Sequence, residues 1–375
     1  VASIFNSIGA SVDHRSDDGC RSPRNPATLL AGHSHRRLTW SKWHHFSGAP
    51  PMFTLSPEDI TFIGSDLVRP ECVVATERGA LFASHADCGG GIAKVNADGP
   101  SELILATSGD IPAGFIPNGY SLMPDGSFLI ANVGDEGGVY TLRRDGALIP
   151  FLLEIDGRKL PACNFANRDE QGRIWISVST WARNRDDSFK KDFADGVVIL
   201  VDDQGSPRIV AEGIGFTNEN KVDPSGRWLY VHETMGRSIC RFAIKADNSL
   251  GPRETAADYG GGIFPDGFEF DAEGGIWCTS VVSNRIVRIA PDGGQHIVFD
   301  GGDQGVTDRA EAAYQNDTYT RAHLVDGNAS ILGNCASIGF GGPDLKTCYV
   351  GSLASNRIAS FRSPVAGAMP PHWRF

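Results

Sequence analysis

Apolar residues in this chain fall in short alternating runs, each closed by a turn built on Asp, Gly or Pro-Asp-Gly. Examples are the run from Phe128 after Asp125-Gly126, the run from Ile174 after Gln171-Gly172 and the run from Ile276 after Glu273-Gly274. Alternation of period two between such turns predicts hairpin-connected β-strands. The runs are rich in Val, Ile, Phe and Trp, which suits a pleated, half-buried surface. Helical periodicity surfaces only around 183–195 and 306–314, so helices are expected as accessories.

The pattern repeats. Six segments share an apolar strand, a turn with Asp or Gly, a second strand carrying a large aromatic, a polar loop and a third strand; they start at Glu71, Asn118, Asn164, Asn218, Asp266 and Cys335. That spacing, with several strands per unit, predicts an all-β fold, a six-bladed β-propeller whose innermost strands line a central channel. The propeller is expected over 52–375. Residues 1–51 lack strand alternation, are net basic and hold half of the ten histidines, so they predict a disordered N-terminal extension. Met52 is the first methionine, and the composition of the repeats begins just after it. One expectation is therefore that the functional protein starts near Met52, which the intact mass of natively produced protein would test.

A second regularity runs through the repeat. Counting back from the second-strand aromatic, Glu71 lies 11 residues before Phe82, Asn118 10 before Phe128, Asn164 11 before Trp175, Asn218 10 before Trp228 and Asp266 11 before Trp277. Equivalent positions of successive blades share one ring, so these five polar side chains are expected to converge on the channel axis. The one-residue variation predicts longer hairpin turns after Gln171-Gly172 and Glu273-Gly274 than after Asp125-Gly126 and Ser225-Gly226. Asx-turns would explain Asn or Asp at any single strand start. They explain five together less well, because Glu71 forms such turns poorly. Asp271, five residues after Asp266, is expected only to close its hairpin.

Composition narrows the chemistry. A formal net charge of −11 argues against a nucleic-acid surface, and no apolar stretch is long enough for a transmembrane helix. The eight cysteines are scattered without a CxxC pair, as expected of reduced, mostly buried thiols in a cytoplasmic protein. No GxSxG elbow and no phosphate-binding Gly-rich loop ahead of a helix is present. What remains is the ring. Glu, Asp and Asn oxygens are hard ligands that favour one divalent cation, Ca²⁺ first, with Mg²⁺, Mn²⁺, Zn²⁺ or Fe²⁺ as alternatives. Such an ion with open positions suits metal-assisted hydrolysis of an ester or lactone, with Asp266 as general base.

The stretches "IFPDGFEFDAEGGIW", "DPSGRWLYVHET" and "FGGPDLKTCYV" resemble signature segments of the SMP-30/gluconolactonase/luciferin-regenerating-enzyme family, over about residues 66–362. The resemblance implies a six-bladed propeller lactonase holding one divalent cation through Glu71, Asn164, Asn218 and Asp266, with Asp266 also the acid/base residue. Departures are local. The family usually places an Arg two positions before its blade-three Asn and an Asp just after it, where they contact sugar hydroxyls; here those positions are Ala162 and Phe165. A less polar pocket is therefore expected, with Asn118, Phe165 and His232 as substrate-binding candidates and a small-molecule lactone as the partner. Trp181, Tyr314, Tyr319 and His323, in the insertions 180–195 and 300–333, are candidates for the pocket mouth. The competing expectation is a non-enzymatic propeller that binds Ca²⁺ or a small ligand and acts through partners.

Overall fold

The computed structural model describes residues 53–375; the expectations for residues 1–51, and for a start at Met52, lie outside the described residues. Six sheets succeed one another along the chain as the blades of a β-propeller, antiparallel except for a short parallel edge strand, Ser108–Gly109, beside Ala147–Leu152 in blade two. Their innermost strands are Val73–Ala75, Pro117–Leu122, Cys163–Arg168, Thr217–Val222, Phe264–Phe270 and Cys335–Gly341. From each innermost strand the chain steps outward strand by strand, and in blades two and six an earlier segment adds the outermost strand. Inner and second strands are almost wholly buried, whereas outermost strands such as Leu250–Asp258 are largely exposed or half-buried.

The sixth blade is closed from the other end of the sequence. Thr61–Ile63 is the outermost strand beside Ile358–Arg362, pairing Thr61 with Ser360 and Ile63 with Ile358. This removes the free edges that an open ring would leave. Trp277 packs between blades five and six, edge-on to Phe340 at 5.8 Å and tilted on Phe361 at 6.1 Å.

The pairing registers revise the explanation of the one-residue variation. Phe82, Trp175 and Trp277 each face the third residue after the ring position, namely Val74, Asn167 and Glu269. Phe128 faces the fourth, Leu122, and Trp228 sits one residue beyond the Val222–Leu229 pair. The aromatic therefore occupies different strand positions, and the hairpin of blade two is no shorter than those of blades three and five.

Asp271 closes its hairpin as expected and does more. Its Oδ1 accepts from Gly275 N at 2.7 Å and Glu273 N at 3.0 Å, while Oδ2 accepts from Trp277 Nε1 at 3.0 Å and Arg288 Nε at 2.8 Å. Asp169 does the same in blade three, accepting from Trp175 Nε1 at 2.8 Å and Arg173 Nε at 2.6 Å. These carboxylates fasten hairpin to aromatic. Asp271→Ala should lower unfolding free energy by about 2–4 kcal/mol in a denaturant melt, because a half-buried guanidinium and a buried indole N–H lose their acceptor.

Of the two helical stretches read from the sequence, one is a helix and one is a single turn. Gln304–Gln315 forms α1, N-capped by Asp303 Oδ1 on Val306 N at 2.9 Å. A short helix, α2, follows at Arg321–Asp326. The 183–195 region holds only a 3₁₀ turn at Arg185–Ser188. α1 is tied to blades four and five by Tyr314 Oη on the Met235 carbonyl (2.6 Å) and by Glu311, which accepts from Gly262 N (2.7 Å) and Arg237 Nη1 (2.6 Å). The seven described cysteines are all free, and six of them are buried.

Candidate active site

A β-bulge opens the innermost strand of five blades, and it falls at one place. Register shifts lie between Pro117 and Tyr120, Cys163 and Phe165, Thr217 and Asn220, Pro265 and Phe268, and Cys335 and Ile338. Bulges re-aim a side chain out of the strict alternation of a strand. The first residue inside each is Asn118, Asn164, Asn218, Asp266 and, in blade six, Ala336. Glu71 enters ahead of the blade-one strand from a tight turn, with Glu71 N donating to the Arg69 carbonyl at 2.8 Å and Arg69 itself at φ 52°. That left-handed conformation is unfavourable for a non-glycine residue. Gly351 makes room there, since a Cβ at that position would overlap the Glu71 carbonyl oxygen.

The ring positions meet. Glu71, Asn118, Asn164, Asn218 and Asp266 all line one cavity of about 90 Å³, together with Arg69, Arg185 and Arg321. Asn118 is its connector: Nδ2 donates to Glu71 Oε1 at 3.1 Å and to the Asn164 carbonyl at 2.8 Å, and Oδ1 accepts from Arg69 Nη2 at 2.7 Å. Asn218 Nδ2 donates to Thr234 Oγ1 at 2.9 Å, which in turn donates to the Pro265 carbonyl at 2.8 Å. Two buried oxygens of this group, Glu71 Oε2 and Asn164 Oδ1, have no hydrogen-bond partner.

Burial pushes the Asp266 carboxyl up to about 7, Glu219 adds to the rise, and Asn218, Arg69 and Arg185 oppose it. Glu71 is raised well above the carboxylate range, again first by burial, with Arg69 opposing and Asp266 and Glu219 adding. Two carboxylates brought together out of water, with orphaned oxygens beside them, are a donor set that a hard divalent cation would satisfy. Glu71, Asn164, Asn218 and Asp266 have the chemistry to hold it. Among the described residues no cluster of three His, Cys, Asp or Glu side chains offers a site built without amide oxygens.

Two substrate-binding candidates take other places. Phe165 does not line this cavity; its ring lies over Gly119 in the blade-one and blade-two core and borders a separate cavity of about 270 Å³. The bulge that re-aims Asn164 leaves its neighbour turned from the site. His232 is fully buried beneath it, with Nδ1 2.8 Å from the Asp266 carbonyl and Nε2 2.8 Å from the Tyr259 hydroxyl. A carbonyl only accepts, so Nδ1 carries the proton; burial lowers the His232 pKa to about 3, so Nε2 accepts from Tyr259. His232 thus holds the backbone of Asp266. The larger cavity carries its own charges, but Lys221 is paired there with Glu269 at 2.9 Å and Glu219 at 3.3 Å.

The pocket is more polar than Ala162 and Phe165 led one to expect. Its arginines come from segments outside the periodic pattern: Arg69 from the turn before blade one, Arg185 from the 180–195 insertion and Arg321 from the start of α2. The insertions also meet each other. Tyr319 lines the cavity, edge-on to Phe189 at 5.8 Å and stacked on His323 at 5.3 Å, and Lys191 Nζ donates to the Gln315 carbonyl at 2.8 Å. Tyr314 is buried on the side of α1 that meets Met235, and Trp181 lies under Arg158 at 4.0 Å; neither is among the cavity-lining residues.

Residues 70–299, which carry four of the five bulges and every ring position, match the SMP-30/Gluconolactonase/LRE-like region. The chain belongs to this family. Within the SMP-30/gluconolactonase/LRE-like family it is 25% identical over 243 residues to a 6-deoxy-6-sulfogluconolactonase from Pseudomonas putida, covering 64% of this chain and 70% of that protein. A pentonolactonase from Haloferax volcanii is 24% identical over 228 residues, 56% of this chain and 65% of that protein. Among solved structures, a gluconolactonase from Xanthomonas campestris superposes with a TM-score of 0.58 at 18% identity, over 80% of this chain and 88% of that one, a likeness of fold. No described helix is long and apolar enough to cross a membrane.

Proposed function

We propose that this SMP-30/gluconolactonase-like protein hydrolyses a lactone, using one divalent cation held by Glu71, Asn164, Asn218 and Asp266, with Asp266 as general base. The observation that carries this is the pair of orphaned oxygens, Glu71 Oε2 and Asn164 Oδ1, in the cavity that also holds Asp266 and Asn218. Relatives named as lactonases supply the reaction class. Hard oxygen donors make Ca²⁺ the first choice of ion.

When bound, the cation polarises the lactone carbonyl and stabilises charge gathering on its oxygen. The chain's own residues do the rest. The water oxygen adds to the carbonyl carbon while its proton passes to the Asp266 carboxylate. The ring C–O bond then breaks, and that proton is returned to the departing ring oxygen, giving a hydroxy acid. His232 fixes the backbone from which Asp266 projects, and Asn118 fixes Glu71. Phe189, Phe216 and Tyr319 wall the cavity and restrict bulk water.

The test is a pH-indicator assay across sugar, aliphatic and aromatic lactones, with and without chelator. Acid release that chelator abolishes and Ca²⁺ or another divalent ion restores is the expected outcome. Tight calcium binding by calorimetry without turnover on any lactone would favour a binding protein instead.

A further inference from the structure

The cavity sets three arginines against two carboxylates. Arg69 is engaged by Asn118 and by the Pro117 carbonyl at 3.3 Å, and Arg321 Nε lies 3.7 Å from Asp186 Oδ1. Arg185 differs from both. It is half-buried, it makes no ion pair among the described residues, and its Nε is sealed from solvent without a hydrogen-bond partner. Its guanidinium lies 5.3 Å from the centre of the Phe216 ring. Burial, then the charges of Arg321 and Arg69, pull its pKa down to about 10, with Asp186 and Asp266 opposing.

A divalent ion among Glu71 and Asp266 would offset those two carboxylates and leave Arg69 and Arg185 without an ion-pair partner among the described residues, Arg321 keeping Asp186. A neutral lactone brings nothing to balance them. We infer that the substrate is an anionic lactone, bearing a carboxylate, sulfonate or phosphate group that docks on Arg185 with Arg321 beside it. A planar guanidinium with donors to spare, against aromatic walls, suits such an oxyanion, and its partial burial strengthens each charge-assisted hydrogen bond. The inference rests on the lactonase assignment and names its substrate class. Ring opening produces a carboxylate from every lactone, so a site for the nascent acid alone would serve neutral and anionic substrates equally; comparing the two separates these cases.

The experiment uses the full chain supplied with Ca²⁺ and an aldonolactone, alongside counterparts carrying a carboxylate, a sulfonate or a phosphate on the terminal carbon. Wild type should favour at least one anionic lactone by about tenfold or more in kcat/KM, chiefly through KM. In Arg185→Gln that ratio should collapse toward one, and Arg185→Lys should recover part of it, with thermal melting checking that both variants fold. The three anionic lactones distinguish the source of the oxyanion. Equal kcat/KM on neutral and anionic lactones in wild type, or an unchanged ratio in Arg185→Gln, overturns the inference. Should no lactone turn over, the lactonase assignment fails separately, and calorimetry with the ring-opened sulfonate, carboxylate and phosphate acids decides: binding weakened about tenfold or more in Arg185→Gln sustains the anion site, and equal binding removes it.

Discussion

Asp266→Asn should lower kcat on the best lactone by about 10³-fold or more, within the range that general acid–base catalysis supplies. The amide keeps shape and volume but cannot take a proton from water, and it removes one of two negative charges from the ring. Folding should survive, because a buried carboxylate is being replaced by a neutral group that costs less to bury. The melting temperature of the chelated variant should therefore equal or exceed that of the chelated wild type. This combination, activity lost with stability kept, is the opposite of what is expected for Asp271→Ala. Near-wild-type turnover by Asp266→Asn would remove the mechanism.

Glu71→Gln should weaken divalent-cation binding by at least about 100-fold in a calorimetric titration, since residues that merely support metal ligands already cost 10–100-fold. The side chain can still accept from Asn118 Nδ2 through its remaining carbonyl oxygen, so the connector stays in place. What is lost is charge and one hard donor at an oxygen that now has no protein partner. A parallel readout needs no catalysis: calcium should raise the melting temperature of wild type and leave that of Glu71→Gln nearly unchanged at the same concentration. Equal affinities in the two proteins would mean that the orphaned oxygen serves something other than a cation.

The propeller and the convergence of its ring positions were legible because both are periodic. A hairpin turn leaves Asp-Gly in the sequence, and a position repeated in five blades becomes visible once the blades are aligned. The bulges that aim Asn118, Asn164, Asn218 and Asp266 leave no such mark, and without them Phe165 could be mistaken for a neighbour of Asn164 in the pocket. The arginines were hidden for another reason. Arg185 and Arg321 sit in insertions that follow no repeat, and tertiary contacts such as Phe189 against Tyr319 and Lys191 on the Gln315 carbonyl bring those insertions together. Arg69 was closer to view, two residues before Glu71, but its role depends on a left-handed turn that a sequence of Arg-Pro does not advertise.

The strand Thr61–Ile63 has a consequence for how the molecule is made. Its partner, Ile358–Arg362, is synthesised almost 300 residues later, which at roughly 5–20 residues per second leaves the first strand waiting for on the order of 15–60 s. During that interval blades one to five can form from local hairpins, while the sixth has only its outermost strand and the circle stands open. Ring closure is thus the natural late event on the ribosome, governed by the longest-range pairing in the fold. The exposed edges of the waiting intermediate are where chaperone contact, or misassembly with a neighbouring nascent chain, would begin.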